Sequence, residues 1–494
     1  MDTGSNEFIS KKHREFSIRA DKDSIHEPSI PAEIRPTEPI SASILFNNSL
    51  QQTRVWKISP FGVELVMGST KALEAGEIFE INIDLVSDKI ILKGIYNTTY
   101  FVNSETIACF KIITEENDKT SRQDRRAPRW RCASEYRPTA HTECAVNYRD
   151  VIHFRIVEMS DSGVKAITSL RNKFIFPGMN INASVAFPVA GQISMNFKIE
   201  HVYVHNSVEN KPELGIDMSY HQDKLNDQYV IANYLLRFAD VQSYADIKKY
   251  GFITNNLSSS IDFSYVETEE EYRQVLALRR IANTSKLSEG TRDLDLSDEY
   301  DSRSRICIGK HKGKVVCTVR LTFHEMTDLM EIEKHCDLPD SMPDREKIVE
   351  GMRLCTHPDY RASDLLFQFL RQVAIVVSQS NRNYFILSCV ENLIPFYKKL
   401  GLVNTGLTYE SEVFKGTKEH VFIGRLETML YGININPVVW NAVYGDLFEH
   451  LNSKNIHNYT MTQLLRVQAL KLLKPLATFL TNRKIKYRSV KQVS

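Results

Sequence analysis

Two groups of residues in this sequence have the types and spacing to do chemistry. The first is a run of arginines, Arg122, Arg125, Arg126, Arg129 and Arg131, interrupted by Pro128. Proline disfavours helix at and just before its own position, so the run reads as an extended arm. A guanidinium fork meets phosphate oxygens and guanine edges through paired hydrogen bonds, and it stacks on bases. Further on, Glu158-Met159-Ser160-Asp161-Ser162-Gly163 offers a hydroxyl and a glycine that lets backbone approach a ligand closely. The plainer reading of an arginine run is a solvated linker or a nonspecific nucleic-acid patch. The second group is Arg279, Asp298, Asp301, Arg320, Glu350 and Arg353. Scattered charges of this kind ordinarily lie on solvated faces. Glu350 and Arg353 are three apart on one expected strand, so they face opposite sides unless a bulge intervenes.

The rest of the chain must position these groups. The 494 residues are 42% hydrophobic and 25% charged, with a formal net charge of +1, which fits several globular domains and argues against a dedicated nucleic-acid binder. Eight cysteines never form a C-x-x-C pair, so reduced thiols are expected rather than a disulfide framework or zinc site. His335-Cys336 is isolated and reads as structural, and no metal is expected. No apolar stretch approaches the ~18 residues that span a bilayer, and the N-terminus lacks a signal-peptide core. The sequence reading is therefore a cytoplasmic protein without an integral membrane segment.

Residues 1–40 are polar, proline-bearing near their end, and read as a disordered tail. Residues 41–117 carry short alternating runs such as Val63-Glu64-Leu65-Val66 and Ile81-Asn82-Ile83-Asp84-Leu85-Val86, which suggest a small β-barrel. That barrel holds half of an internal repeat. Trp56-Lys57-Ile58-Ser59-Pro60-Phe61-Gly62-Val63 parallels Val157-Glu158-Met159-Ser160-Asp161-Ser162-Gly163-Val164, so residues 118–240 are expected to form a second barrel, closed by a helix over 222–240. Over 245–430, helical and strand patterns alternate: a helix at 267–283, a hairpin at 305–323 turning at Lys312-Gly313, a strand at 346–356, a helix at 364–380 and a strand at 384–390. Residues 431–494 read as helical and basic, with Asn436 capping and Pro437 in the first turn.

Arg125-x-x-x-Arg129 followed by Glu158-x-Ser160-x-x-Gly163 resembles the signature of PilZ domains, whose first position of the second motif is Asp or Asn. The resemblance implies a cyclic di-GMP site built from Arg125, Arg129, Glu158, Ser160 and Gly163. The first barrel has only Arg54 nearby and no arm, which implies a structural partner rather than a second site.

The order Leu278-Arg279, Asp298-Glu299-Tyr300-Asp301, Arg320-Leu321 and Glu350-Gly351-Met352-Arg353 resembles acyl-homoserine lactone synthases and the related long-chain N-acyl amino acid synthases, over roughly 264–430. It implies a GNAT fold, and the whole chain is then a multidomain α+β protein: two PilZ-like barrels, a GNAT-fold acyltransferase domain and a helical extension. On these positions the resemblance makes Glu350 a candidate general base toward the acceptor ammonium. Arg320 and Arg353 would bind an acceptor carboxylate or brace the acidic pair, and Asp298 and Asp301 would hold Arg279. A buried ion-pair network is the alternative for Arg279 and the two aspartates. Asn283 stands where autoinducer synthases carry an aromatic, which implies a different acceptor pocket; an amino acid is preferred as acceptor over S-adenosylmethionine, partly because the C-terminal helical extension resembles that of N-acyl amino acid synthases.

GNAT enzymes that use coenzyme A cradle its pyrophosphate at a helix N-terminus. Here Asp364 and Leu366 occupy places that need small residues, so the phosphopantetheine of an acyl carrier protein is the expected donor. Lys398, Lys399 and the basic C-terminus are positioned to dock an acidic carrier. Tyr397, in a segment resembling the GNAT F-Y-x-K-L-G-F stretch, packs or protonates the leaving thiolate. The alternatives are a lactone synthase and a non-catalytic cyclic di-GMP effector. Whether the messenger activates or inhibits, and whether the chain dimerises, stays open.

Overall fold

The computed structural model describes residues 39–46, 49–69, 73–85, 89–113, 128–144, 150–170, 172, 174–206, 212–221, 224–254, 257–283, 296–361, 363–411, 416–453 and 460–475. The expected tail (save residues 39 and 40), Arg122, Arg125, Arg126 and the basic residues from Arg483 onward lie outside them. The chain divides into two compact units, one of Met1–Tyr234 with Phe238–Asp240, the other of Leu235–Arg237 with Val241–Ser494.

The first unit holds two barrels. In the first, β1 (Ser41–Phe46), β2 (Ser49–Ser59), β3 (Gly62–Met67), β4 (Ile78–Asp84), β5 (Lys89–Val102) and β6 (Glu105–Ile112) close in the order β1-β2-β3-β6-β5-β4. Alternation sets which side faces in: Phe79, Ile81 and Ile83 of β4 are buried, whereas Ile78, Glu80 and Asp84 are exposed. In the second, β7 (Trp130–Arg131), β8 (Thr139–Glu143), β9 (Val151–Met159), β10 (Gly163–Ser169), β11 (Asn180–Phe187), β12 (Gly191–Asn206) and β13 (Pro212–Tyr220) follow. Six of them close as β8-β9-β10-β13-β12-β11, and β7 pairs with the end of β9. Closure leaves neither sheet with a long unpaired edge. The helix expected over 222–240 is α1 (Leu225–Phe238); its Tyr234 hydroxyl donates to the Tyr136 carbonyl at 2.9 Å.

In the second unit, α2 (Tyr244–Lys248) and α3 (Glu269–Asn283) accompany a mixed sheet of β14 (Asp262–Tyr265), β15 (Arg305–His311), β16 (Lys314–Phe323), β17 (Ile348–Thr356), β18 (Tyr384–Val390), β19 (Val403–Glu410) and β20 (Lys418–Arg425), in the order β14-β15-β16-β17-β18-β20-β19. The expected hairpin turns at Lys312 and Gly313, with φ of 50° and 79°, as a two-residue turn between twisted strands requires. The strand expected from 346 begins instead at Ile348, because Arg345–Lys347 form a short 3-10 turn. The parallel pair β17–β18 is joined by α4 (Leu365–Gln379), the crossover that parallel strands need. Then come α5 (Ile394–Lys399), α6 (Leu426–Leu430), α7 (Pro437–Val443), α8 (Gly445–Ser453) and α9 (Met461–Leu472). The Asn436 side chain caps α7 by accepting from the Val438 amide at 2.9 Å.

Two irregularities shape the sheet. Strands β17 and β18 pair only from Ile348–Glu350 to Tyr384–Ile386 and then separate. Arg353 and Leu354 of β17 together oppose Val319 of β16, a bulge in which Arg353 adopts φ 58°. A left-handed arginine costs of order 1–3 kcal/mol and persists only where its surroundings over-determine it.

Candidate functional site

In the second barrel the two halves of the arginine–glycine motif meet. The β9–β10 turn is held by Ser160, whose hydroxyl oxygen accepts the Gly163 amide at 3.0 Å and whose hydroxyl donates to the Gly163 carbonyl at 3.1 Å. The Tyr220 hydroxyl donates to the Ser160 carbonyl at 2.6 Å and fixes the turn from below. Arg129 lies over it: a Cβ on Gly163 would stand 3.7 Å from Arg129 Nη2 and 3.2 Å from the Met218 carbonyl. The guanidinium is oriented by Asp217, with Nη1 donating to Oδ1 at 2.9 Å. Glu158 faces Arg131 instead, at 3.9 Å. The first barrel repeats the turn, with the Gly62 amide donating to the Ser59 hydroxyl at 3.0 Å, but carries no arginine over it among the described residues.

In the second unit, all six charged candidates gather on one face of the mixed sheet. Arg279 on α3 forms a two-pronged pair with Asp301, at 2.6 and 2.9 Å. Burial by itself would raise the Asp301 carboxyl, but the Arg279 guanidinium outweighs it and holds the group below the ordinary aspartate value. Arg320, fully buried on β16, binds Asp298 and Glu331 and lies 3.7 Å from Asp301. Arg353 reaches the same cluster because the bulge turns it back: Nε donates to Asp298 at 3.2 Å and Nη2 to Glu331 at 3.1 Å. Three guanidiniums thus face three carboxylates, and only Arg353, with 27% of its side chain exposed, keeps an open edge.

Glu350 joins this cluster through the β16–β17 connection. It is fully buried; Oε1 accepts the Ile332 amide at 3.0 Å, and Oε2 accepts the Glu331 amide at 3.1 Å and contacts His324 Nε2 at 2.8 Å. Its geometry therefore holds the connection in place. Glu350→Gln puts an amide N–H against one of the two backbone donors, Ile332 or Glu331. It is expected to cost roughly 1–3 kcal/mol and several degrees of Tm while activity stays within tenfold. A loss of about 10²–10⁴ in kcat at unchanged Tm would instead give Glu350 the proton transfer. Sequence reasoning missed His324 and Glu331, which lie just past a strand end and carry no motif.

The opposite face carries a narrow apolar cavity of about 60 Å³, lined by Val319, Leu354, Leu370, Val373, Phe385 and Tyr397 among others. Gly351 is obligatory at its wall, since a Cβ there would sit 2.2 Å from the Phe385 ring. The cavity lies where β17 and β18 part. Tyr397 is buried within it, and burial pushes its phenol above the ordinary value. At the N-terminus of α4, Asp364 accepts the Leu257 amide at 3.1 Å and a Gln368 N–H at 3.2 Å; burial raises its pKa against these bonds. Lys398 and Lys399 are exposed. Among the described residues no group of three or more histidines, cysteines or carboxylates is placed to hold a metal, and no helix is long and apolar enough to cross a membrane.

Residues 283–406 match the family model of the N-acyl amino acid synthase FeeM. The match falls on the β15–β18 core and its charged face, and it supports an N-acyltransferase domain in this part of the chain. No curated protein matches the chain. Among solved structures, the chain is similar to FeeM, an N-acyl amino acid synthase from uncultured soil microbes, at 8% identity and TM-score 0.27, over 34% of this chain and 93% of that one. It is also similar to the K. pneumonia MrkH–c-di-GMP complex, at 19% identity and TM-score 0.20, over 40% and 85%. The Escherichia coli YcgR–c-di-GMP complex is similar at 14% identity and TM-score 0.18, over 38% and 80%.

Proposed function

We propose that the chain is a cyclic di-GMP-regulated N-acyl amino acid synthase that moves a fatty acyl group from acyl carrier protein to the α-amine of an amino acid. The observation that carries this reading is the parting of β17 and β18, with an apolar cavity on one face and the charged cluster on the other. An acyl chain buried in the cavity gains about 0.8 kcal/mol per methylene and places its thioester at the opening. The acceptor approaches from the charged face, where Arg353 offers its open guanidinium edge to an α-carboxylate. Arg279, Asp298, Asp301 and Arg320 are positioning residues that hold Arg353 and the β16–β17 connection. Tyr397, kept protonated by burial, is a source of a proton for the leaving thiolate.

Acyl carrier protein is favoured as donor because a pyrophosphate at the α4 N-terminus would meet the half-buried Asp364 carboxyl. Purified chain is expected to show kcat/KM at least tenfold higher with acyl carrier protein than with the matching acyl-CoA. Equal values would remove the carrier assignment. Mass spectrometry of the products tests the reaction itself: acyl amino acids support it, a lactone turns it to signal synthesis, and no acylated amine overturns it.

In the second barrel, Arg129 above the Ser160–Gly163 turn, together with the Arg125 arm, is proposed to bind cyclic di-GMP. The Ser59–Gly62 turn, without such an arginine, supports a structural role for the first barrel. The messenger regulates by binding two conformational states of the enzyme with different affinity.

A further inference from the structure

We propose that Glu419 on β20 receives the acceptor's ammonium and takes its first proton; this rests on the acyl-transfer reading above. Glu419 lies on the charged face, paired across strands with Tyr409 and Val390. Its Oε2 accepts the Ser388 hydroxyl at 2.7 Å, and Ser388 in turn accepts the Tyr409 hydroxyl at 2.6 Å. The two hydroxyls form a one-way relay that ends on the carboxylate and fixes its direction. Tyr409 is itself fixed by stacking on His335, with ring centroids 4.7 Å apart.

Place and charge give this cluster its meaning. Ser388 lies beyond the last residue of β18 that pairs with β17, and it packs against Met352 Sδ, next to Arg353, at 3.8 Å. Glu419 and Ser388 therefore border the strand opening from one side, as Met352 and Arg353 do from the other. Asp298, Asp301, Glu331 and Glu333 each face an arginine, and Glu350 faces His324. Glu419 is half-buried, yet among the described residues no basic side chain pairs with it. A carboxylate held by hydroxyls and lacking a cation is a seat for one. The groups around it are Tyr409 from β19, Cys389 from β18 and Tyr397 from α5, with His335 of the β16–β17 connection stacked on Tyr409. Burial first, then Glu419, raise the Tyr409 phenol, so it remains a donor to the relay. In this proposal an α-amino acid places its ammonium on Glu419 and its carboxylate on the open edge of Arg353. Glu350, fully buried with both oxygens engaged, does not reach it.

The step balances without another reagent. One ammonium proton passes to Glu419, and the freed nitrogen lone pair forms the C–N bond at the thioester carbon. The C–S bond breaks, and the second proton lost by nitrogen ends on the thiolate.

The test is Glu419→Gln in the full chain with acyl carrier protein donor, because the glutamine carbonyl still accepts from Ser388. At pH 7 its kcat/KM for the amino acid is expected to fall at least about 100-fold, within the range for removing a general base. Tm should stay near wild type, and the deficit should shrink as pH rises toward the acceptor's own amine pKa. With hydroxylamine, uncharged at pH 7, the variant should match wild type within a few-fold. A variant equal to wild type at pH 7, or a deficit unchanged by pH and shared by hydroxylamine, overturns the assignment of Glu419 alone. A wild-type chain that acylates no amine at all overturns the acyl-transfer reading and this proposal with it.

Discussion

Arg129→Ala is expected to abolish micromolar binding of cyclic di-GMP in calorimetry. Each charge-assisted bond from a guanidinium to a phosphate or guanine edge contributes about 1.5–3 kcal/mol, so losing two lowers affinity by roughly 10²–10⁴-fold. The turn beneath should survive, since Ser160, Gly163 and Tyr220 hold it without the arginine. Asp217 loses its partner, which is expected to move Tm only slightly because the pair is partly exposed. Lys57→Ala and Ser59→Ala in the first barrel should leave binding unchanged. In activity assays Arg129→Ala should respond to added messenger no more than wild type does without it. An Arg125→Ala/Arg129→Ala chain that binds the nucleotide normally would remove the second barrel as receptor.

Arg320→Met is the substitution expected to damage the synthase fold most. Arg320 is fully buried between Asp298, Asp301 and Glu331. Its removal leaves three carboxylates facing two guanidiniums. Breaking a buried ion pair in this one-sided way costs about 3–5 kcal/mol, roughly 10 °C or more of Tm in a domain of this size. Scanning calorimetry checks it, and a Tm within two or three degrees of wild type would mean that the cluster is hydrated. The pH sense follows from Asp301, whose folded pKa lies below its ordinary value. Its contribution is complete above the unfolded pKa of about 3.9 and is lost as pH falls toward the depressed folded value. Wild type is therefore expected to shed this stability only in acid, and the gap to Arg320→Met should narrow there.

The sequence by itself determined the elements and the turns, because both are set by local chemistry. Alternation in Ile78–Asp84 chose a barrel strand and its inner face. Lys312-Gly313 chose the hairpin turn through positive φ, and Ser160 with Gly163, like Ser59 with Gly62, chose the barrel turns through hydroxyl–amide bonds. Asn436-Pro437 started α7 for the same kind of reason. The ordered charged motif likewise named six residues that converge.

Tertiary structure decided what those residues touch. Odd spacing put Glu350 and Arg353 on opposite faces, and one bulge residue returned Arg353 to the charged face, something periodicity cannot anticipate. Arg129 comes to rest over a turn far along the chain because β7 pairs with the end of β9 and Asp217 waits on β13. His324, Glu331 and the Glu419–Ser388–Tyr409 relay carry no spacing signal, for their partners lie on different strands and connections. Register across the sheet, and the point where β17 leaves β18, brought them together.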